Sequence, residues 1–359
     1  MPTASMVSTR TMELWRRRGL MITIAAVTVG LPSLFLGIRL VLHAAAPHSY
    51  GPAGGSDVFT ALVAGVLYVF GFIVAAALGC TAGSVDLTEG MFRHLVVTGR
   101  SRLALYIARI PAGLAIITSM MAVGYAIVCV VCCLAAPTSV SYNGVNVPAG
   151  LSKTALVSWA AAHPKEVVCN FNLNLDPTRF PGLNVQCGPT QSFKLPPGQP
   201  VPPAPTAAQI RAAAVVVAAQ NYVGYKEIFL SPPIPLMVDA GLWLLLEAAI
   251  GFIVGLGLGS LLGQRTIAIM VMVVLEVILT PILARASIPH LINAQRGVVG
   301  IATANLEPNG LSHVFGGGGG PSGRSELLHE SVPVAILVII GWLVVWTALG
   351  AWRMVTRDA

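Results

Sequence analysis

The stretch IPLMVDAGLWLLLEAAIGFIVGLGLGSLLGQRTIAIMVMVVLEVILTPILA, residues 234–284, decides the fold class of this chain. Gly263-Gln264-Arg265-Thr266 divides it into two apolar runs, each long enough to cross the roughly 30 Å hydrocarbon core of a bilayer as a helix. The runs are too long for barrel strands and lack alternating polar residues. This pattern therefore predicts a helical hairpin that crosses a membrane twice.

The rest of the chain extends this pattern. Of 359 residues, 55% are hydrophobic and 10% are charged, whereas about a quarter are charged in soluble proteins. Further apolar runs cover 20–42, 58–80, 104–136 and 333–352. The sequence thus predicts an all-α polytopic membrane protein with six transmembrane helices.

These runs predict a simple domain organisation. A cytoplasmic N-terminal segment, 1–19, precedes spans one to three in 20–136, and the loop 81–103 joins the second and third spans. The remaining parts are an extracytoplasmic loop at 137–233, spans four and five at 234–284, an extracytoplasmic Gly-rich loop at 285–332, and span six with a cytoplasmic tail at 333–359.

Arginines in alternate connections predict the orientation of the chain. The N-terminal segment carries Arg16-Arg17-Arg18, the loop 43–57 carries no Lys or Arg, and Arg265 lies in the 263–266 turn. By the positive-inside rule, both termini and 81–103 are expected in the cytoplasm, in a bacterial plasma membrane. The run 20–42 is longer than a signal-peptide core of about 7–15 residues, so we favour an uncleaved first span.

The loop 137–233 is too long for a bare connector. Its segment 194–207 is rich in proline and predicts an extended polyproline stretch. Cys169 and Cys187 both lie in this loop and are predicted to form a disulfide, with two free thiols as the alternative. An Ala-rich helix is expected within 206–227, at the surface rather than as a seventh span.

Two acidic residues are predicted near the middle of membrane helices, Glu247 in span four and Glu276 in span five. An acid facing lipid costs a few kcal/mol, so both are expected to face the helix bundle or a wet cavity. Two interpretations stay open. The acids line a transport path, for example for a cationic amphiphile, or they are satisfied by interhelical hydrogen bonds or by Arg39 or Arg285.

Span four also carries glycines at four-residue spacing. Gly251, Gly255, Gly259 and Gly263 form one smooth helical face. Such a face permits close helix approach in a membrane, either within the chain or between two copies.

Charge is concentrated in GSVDLTEGMFRHLVVTGRSRLALYIARI, residues 83–110. Asp86 and Glu89 have the spacing of a capping box, and Leu87, Met91 and Leu95 follow at four-residue intervals. This pattern predicts a short amphipathic helix over 86–98 on the cytoplasmic side. A solvated hairpin that only fixes topology is the alternative interpretation.

Two segments resemble the permease subunits of type-2 ATP-binding cassette (ABC) exporters. TRTMELWRRRGLM, residues 9–21, resembles the amphipathic elbow helix before their first span, and 83–109 resembles their first cytoplasmic loop. The shared order is an acidic residue (Asp86 or Glu89), Gly90, Arg93, an apolar run at 95–97, and Ser101-Arg102. The chain departs from the family in having Met91 after Gly90, where Thr is usual, and in its large loop 137–233.

The resemblance implies a function that needs other chains. Residues 86–98 would be a coupling helix that docks on a separate ABC ATPase, which would hold ATP and Mg; this chain would hold no cofactor and catalyse no reaction. A second permease copy or a paralogue would complete the membrane part, surrounded by lipid. The expected cargo is a lipid, drug-like or peptide-like molecule. The residues implied in ATPase coupling are Asp86, Glu89, Met91, Phe92, Arg93, Leu95, Arg100 and Arg102.

Other classes of function receive less support. The net charge of +7 does not indicate nucleic-acid binding, because no basic stripe is interleaved with aromatic residues. A membrane-embedded lipid-modifying enzyme would need a converged acid–base or metal set, and the histidines are scattered along the chain. A non-transporting anchor or sensor with an extracytoplasmic lobe is the other alternative.

Overall fold

The computed structural model of the protein describes ten ranges of the chain: 4–46, 53–88, 101–136, 139–142, 145–148, 150–164, 206–220, 231–285, 292–308 and 330–356, with single positions 167, 222, 225, 290 and 311. The described residues are mostly helical. They divide into two compact units. One comprises Met1–Ile38, Val58–Val131 and Pro233–Ala359, and the other comprises Arg39–Asp57 and Cys132–Pro232.

Six helices in the described part of the chain are long and apolar enough to cross a membrane, which confirms the predicted number of spans. In chain order, spans 1 to 6 are Arg18–Ala45, Ser56–Val85, Arg102–Leu134, Ile234–Leu262, Arg265–Leu283 and Val332–Thr356. Spans 2 and 4 are the most deeply buried, so they form the centre of the larger unit.

The predicted hairpin between spans 4 and 5 is present. Gly263 ends span 4 in the left-handed conformation, with φ 68°, and its N–H donates to the carbonyl of Gly259 at 2.9 Å. A residue with a Cβ adopts this conformation at a cost, whereas glycine does not. Gln264 is then extended, and span 5 begins at Arg265.

The glycine face of span 4 packs against span 2 of the same chain. A Cβ placed on Gly255 would lie 2.6 Å from the carbonyl oxygen of Ala76, and one on Gly259 would lie 2.5 Å from that of Cys80. Gly79 of span 2 approaches span 4 in the same way. The two backbones are thus in direct contact, and the intrachain alternative for this face is the one observed.

A buried polar contact ties three spans together beside this face. The carbonyl oxygen of Gly83, near the end of span 2, accepts hydrogen bonds from Ser260 Oγ of span 4 at 3.3 Å and from Arg109 of span 3 at 3.4 Å. Arg109 is only 2% exposed. A buried guanidinium requires acceptors, and here the carbonyl of Gly83 supplies one.

The two chain ends lie against the same part of the bundle. The N-terminal helix, Ala4–Arg16, packs Met6 into a small core with Leu105 at the start of span 3. Arg102, also at the start of span 3, donates to the carbonyl of Val355 near the end of span 6 at 3.1 Å. Both termini are therefore on one side of the bundle, as an even number of spans requires.

The smaller unit contains the described part of 137–233. Strands Ser139–Tyr142 and Val145–Pro148 form an antiparallel hairpin, and helix Lys153–Ala162 packs on helix Ala207–Gln220. The latter has 14 residues, too few for a span. The Tyr225 hydroxyl donates to the carbonyl of Pro148 at 2.5 Å and accepts from Leu151 N–H at 3.0 Å. Burial raises the pKa of Tyr225, although the Leu151 N–H opposes this shift.

The sequence predicted an extracytoplasmic loop over 285–332, and its described part contains two short helices, Ile292–Arg296 and Val299–Ala304. Every residue of Val299–Ala304 is buried, and this helix packs on span 6. Its side chains are apolar or small, apart from Thr303, so burial costs little. This segment is therefore part of the bundle.

Candidate functional site

The predicted coupling stretch is described only at its two ends. We expected a new helix to begin at Asp86, and this position is wrong, since the helix of span 2 continues through Thr88. No glycine or proline interrupts the chain between Ser84 and Thr88, so nothing stops the helix at Asp86. At the other end, Ser101 caps span 3 by accepting from Ala104 N–H at 3.3 Å.

The other residues of that prediction lie outside the described part of the chain. These are Glu89, Met91, Phe92, Arg93, Leu95 and Arg100. Cys169 and Cys187, the predicted disulfide partners, also lie outside it.

Glu247 and Glu276 are buried among the membrane helices. Glu247 of span 4 is 2% exposed and Glu276 of span 5 is 8% exposed. Both face the interior, as the cost of an acid in lipid requires. They lie close enough for the charge of one to act on the other, so the two spans bring together two acids that are 29 residues apart in the sequence.

Side chains from three different segments surround the two carboxyl groups. Thr280 Oγ1 donates to Glu276 Oε2 at 3.3 Å, and Tyr68 of span 2 lies close enough to Glu276 for the two side chains to interact electrostatically. The carboxyl group of Glu247 is hydrogen-bonded to the side chain of Thr303. The contact of Thr303 with Glu247 joins two helices, whereas Thr280 and Glu276 belong to the same span.

The hydrogen bonding of the acids is nevertheless incomplete. Within the described residues, Oε1 of Glu247 and Oε1 of Glu276 have no hydrogen-bond partner, and no salt bridge joins either glutamate to a basic side chain. The side chain of Arg285, one expected partner, lies outside the described part. The neighbouring ionisable groups that act on Glu247 are the carboxyl groups of Glu276 and Glu307. The site therefore brings together acidic groups, and among the described residues no salt bridge joins Glu247 or Glu276 to a basic side chain.

Two aromatic rings lie beside the acids. Tyr68 of span 2 stacks on Trp243 of span 4, with ring centroids 4.7 Å apart and planes 6° from parallel. The indole N–H of Trp243 donates to the carbonyl of Thr303 at 3.1 Å. Trp243 lies one helical turn before Glu247, so its spacing was a usable signal that sequence reasoning missed. Tyr68 and Thr303 come from distant segments and carried no such signal.

Local backbone irregularities coincide with this site. Tyr68 ends the π-helical stretch Leu62–Tyr68, and Glu276 lies within another, Val274–Leu279. A π turn rotates the side chains that follow it. The carbonyl of Leu275 accepts both the backbone N–H of Thr280 and, at 3.0 Å, Thr280 Oγ1. The irregular turns thus help to aim Glu276 and its neighbours into the bundle.

The buried helix Val299–Ala304 forms one wall of the site. A Cβ on Gly300 would lie 2.5 Å from Glu276 Oε1 and 2.5 Å from Thr280 Cγ2, so the absence of a side chain at Gly300 makes room for both. One turn later, Thr303 contacts Glu247 and Trp243. The helix Val299–Ala304 therefore contacts Glu276 near its start and Glu247 near its end.

One cavity adjoins Glu276, and a wider cleft lies beside Trp243. A cavity of about 70 Å³ is lined by Glu276 and Thr280 together with mainly apolar side chains, including Phe72, Leu279 and Trp342. A wider cleft of about 460 Å³ is lined by Trp243 and by the acidic side chains of Asp239 and Glu307. Trp243 thus lines the cleft and also stacks on Tyr68.

The groups that form the site are of kinds that attract a cation. Three carboxyl groups, three hydroxyl groups and two aromatic rings are all groups that attract positive charge. Among the described residues, no group of three or more His, Cys, Asp or Glu side chains is arranged to hold a metal ion. We name Tyr68, Trp243, Glu247 and Glu276 the acidic–aromatic site.

Comparison with known proteins finds no matching protein family, no similar curated protein and no similar solved structure. Function must therefore be inferred from the sequence patterns and from the acidic–aromatic site.

Proposed function

We propose that this chain is the membrane-spanning permease subunit of an ATP-driven ABC exporter in a bacterial plasma membrane. A separate ATPase chain supplies the energy, with ATP and Mg bound there, and a second permease copy or a paralogue completes the path. Both termini and residues 81–103 face the cytoplasm in this proposal. The chain moves its cargo and catalyses no reaction itself.

The observation that carries the proposal is the charged stretch 83–110 between spans 2 and 3 of a six-span bundle. Its order of acidic, Gly, basic, apolar and Ser-Arg residues resembles the coupling loop of type-2 exporters. A helix in this loop can push on spans 2 and 3 when an ATPase closes beneath it, because each span begins or ends within a few residues of it.

The contacts around this stretch support such a mechanical role. Arg109 and Ser260 both donate to the carbonyl of Gly83, and Arg102 donates to the carbonyl of Val355. Spans 2, 3, 4 and 6 are therefore connected within a short distance of the stretch. A displacement of the loop would be transmitted to four helices at once.

The acidic–aromatic site supports transport as the class of function. Ionisable residues inside a membrane protein are costly, and they commonly mark the path of an ion or substrate. A passive anchor would gain nothing from two buried carboxyl groups with incomplete hydrogen bonding. An extracytoplasmic sensor would hold its ligand in the smaller unit and would not need these acids.

The test is co-purification from the native membrane. The tagged protein is extracted in a mild non-ionic detergent, and its partners are identified by mass spectrometry. We expect an ABC ATPase in stoichiometric amounts. Phe92 follows Met91 directly and is an apolar residue of the predicted coupling helix. Phe92→Glu should abolish recovery of the ATPase, because a charge at this position opposes docking in an apolar groove, whereas Phe92→Leu should retain it.

The control variants are accepted only if they insert into the membrane and elute as the wild type does in size-exclusion chromatography. Absence of an ATPase from cross-linked wild-type preparations, or equal recovery with Phe92→Glu, would contradict the proposal.

A further inference from the structure

We propose that the acidic–aromatic site binds the protonated amine of an organic cation, which enters from the cleft beside Trp243. This inference deepens the proposed function by naming a substrate class, and it rests on that function only for the step of transport. Binding itself can be measured without an ATPase.

The first argument is charge. Glu247 and Glu276 are each more than nine-tenths buried, and each presents an Oε1 atom that has no partner among the described residues. Glu307 adds a third carboxyl group whose charge acts on Glu247. Buried carboxylates are retained when they are paired with a cation. A ligand ammonium group would donate to both free oxygens and offset the mutual repulsion.

The second argument distinguishes an organic cation from Na⁺ or K⁺. An inorganic cation of this type needs a shell of several oxygen ligands, whereas the cavity beside Glu276 is lined mainly by Phe72, Leu275, Leu279 and Trp342. Apolar walls suit the hydrocarbon part of an amphiphilic amine. The Tyr68 and Trp243 rings also attract an ammonium group through their π faces.

The third argument is continuity. Val298 and Val299 line the cavity, Gly300 lies against Glu276, and Thr303 contacts Glu247 and Trp243. The segment Asn305–Pro308 then lines the cleft that contains Asp239 and Glu307. A single stretch of eleven residues, 298–308, thus borders every part of the site in sequence order. An amine entering the cleft meets acidic side chains before it reaches the buried pair.

The experiment uses purified full-length protein in a non-ionic detergent and the fluorescent amine dansylcadaverine. The matched ligand is N-acetyl-dansylcadaverine, which keeps the size and the fluorophore and lacks the positive charge. Binding is followed by fluorescence anisotropy in buffers containing Na⁺, K⁺ or a bulky organic cation at equal ionic strength. We expect the amine to bind at least about tenfold more tightly than the acetylated compound, as for a charge-assisted hydrogen bond.

Two variants test whether Glu247 and Glu276 bind the amine. Glu247→Gln and Glu276→Gln keep side-chain volume and remove the charge, so each should weaken amine binding about tenfold and leave binding of the acetylated compound unchanged. Asp57→Asn removes an exposed acid in the first turn of span 2 and should bind like the wild type. Gel filtration and the melting temperature verify that each variant is folded.

Equal affinity for the amine and the acetylated compound would overturn the inference, as would wild-type affinity in both glutamine variants. Displacement of the amine by Na⁺ or K⁺ but not by the organic salt would also overturn it, because the site would then take an inorganic cation. The binding assay contains no ATPase, so its result does not depend on the co-purification. If no ATPase co-purifies, amine binding still supports this inference. If the amine does not bind, co-purification of an ATPase still supports the proposed function.

Discussion

Span 4 has two contrasting parts on one continuous helix. Around Gly255 and Gly259 its backbone lies directly against span 2, with no side chain between. Around Trp243 and Glu247 it packs through rings, hydroxyl groups and carboxyl groups, with a cleft alongside. Around the glycines, direct backbone contact leaves no space between the helices. Around Trp243 and Glu247 there is a cleft, and Oε1 of Glu247 has no hydrogen-bond partner among the described residues.

This difference indicates that the two parts of span 4 have different roles. Close backbone packing leaves no room for a ligand and resists relative movement of the helices. Polar side chains that meet across a cavity can exchange partners at low cost. The glycine part therefore holds spans 2 and 4 together, and the acidic part is the one that we propose binds the cargo.

The strongest test of the glycine part is Gly255→Leu. Its side chain has no space, because even a Cβ would lie 2.6 Å from the backbone oxygen of Ala76. We expect a loss of more than about 3 kcal/mol in stability, beyond the usual cost of overpacking, seen as loss of folded protein in detergent gel filtration. Gly65→Leu is the matched control, since nothing lies within 4 Å of a Cβ there. Equal yields of both variants would contradict the packing described.

Gly300→Ala tests the acidic part without changing its charge. The new methyl group meets Glu276 Oε1 and Thr280 Cγ2, both at 2.5 Å, so the carboxyl group must move. We expect about a tenfold loss of dansylcadaverine affinity and a destabilisation of about 1–3 kcal/mol. Gly341→Ala in span 6 has free space around it and should alter neither. Unchanged affinity in Gly300→Ala would show that Glu276 does not contact the ligand.

A double-mutant cycle tests the link between spans 2, 3 and 4. Ser260→Ala removes one of two donors to the carbonyl of Gly83 and should cost about 1 kcal/mol. Arg109→Met should cost more, because it removes a buried charged donor. The combined variant should lose more than the sum, since the carbonyl then loses both donors. Additive melting temperatures would contradict a shared acceptor.

Substitution of Glu330 is expected to change the melting temperature least, and the change should depend on pH. It lies just before span 6 and is 5% exposed, and its burial raises its pKa, with Arg296 opposing the shift. The folded chain therefore holds this proton more tightly than the unfolded chain, so the contribution to stability is present at low pH and is lost as pH rises through the raised pKa. Glu330→Gln should raise the melting temperature by about 2 °C at pH 7 and leave it unchanged at pH 4. A reversed pattern would contradict the direction of the shift.

The spans were predictable because each is a long apolar run, and a membrane allows few other structures for such a run. The turn at Gly263 followed from its local sequence, and the burial of Glu247 and Glu276 followed from the cost of charge in lipid. These features depend on residues close together in the chain.

The remaining features depend on tertiary contacts. Tyr68 reaches Glu276 across more than two hundred residues of sequence, and the burial of Val299–Ala304 depends on its packing against span 6. The error at Asp86 has a different cause. A capping pattern marks where a helix can begin, and here the preceding helix had no reason to stop.

The most direct test of the proposed transport is uptake of dansylcadaverine into inside-out membrane vesicles that contain the protein and its partners. We predict that ATP drives accumulation with the wild-type chain. Glu276→Gln should reduce accumulation through weaker cargo binding, and Phe92→Glu should abolish it through loss of ATPase docking. Accumulation that is independent of ATP, or that is equal in all three chains, would contradict both the cargo site and the coupling helix.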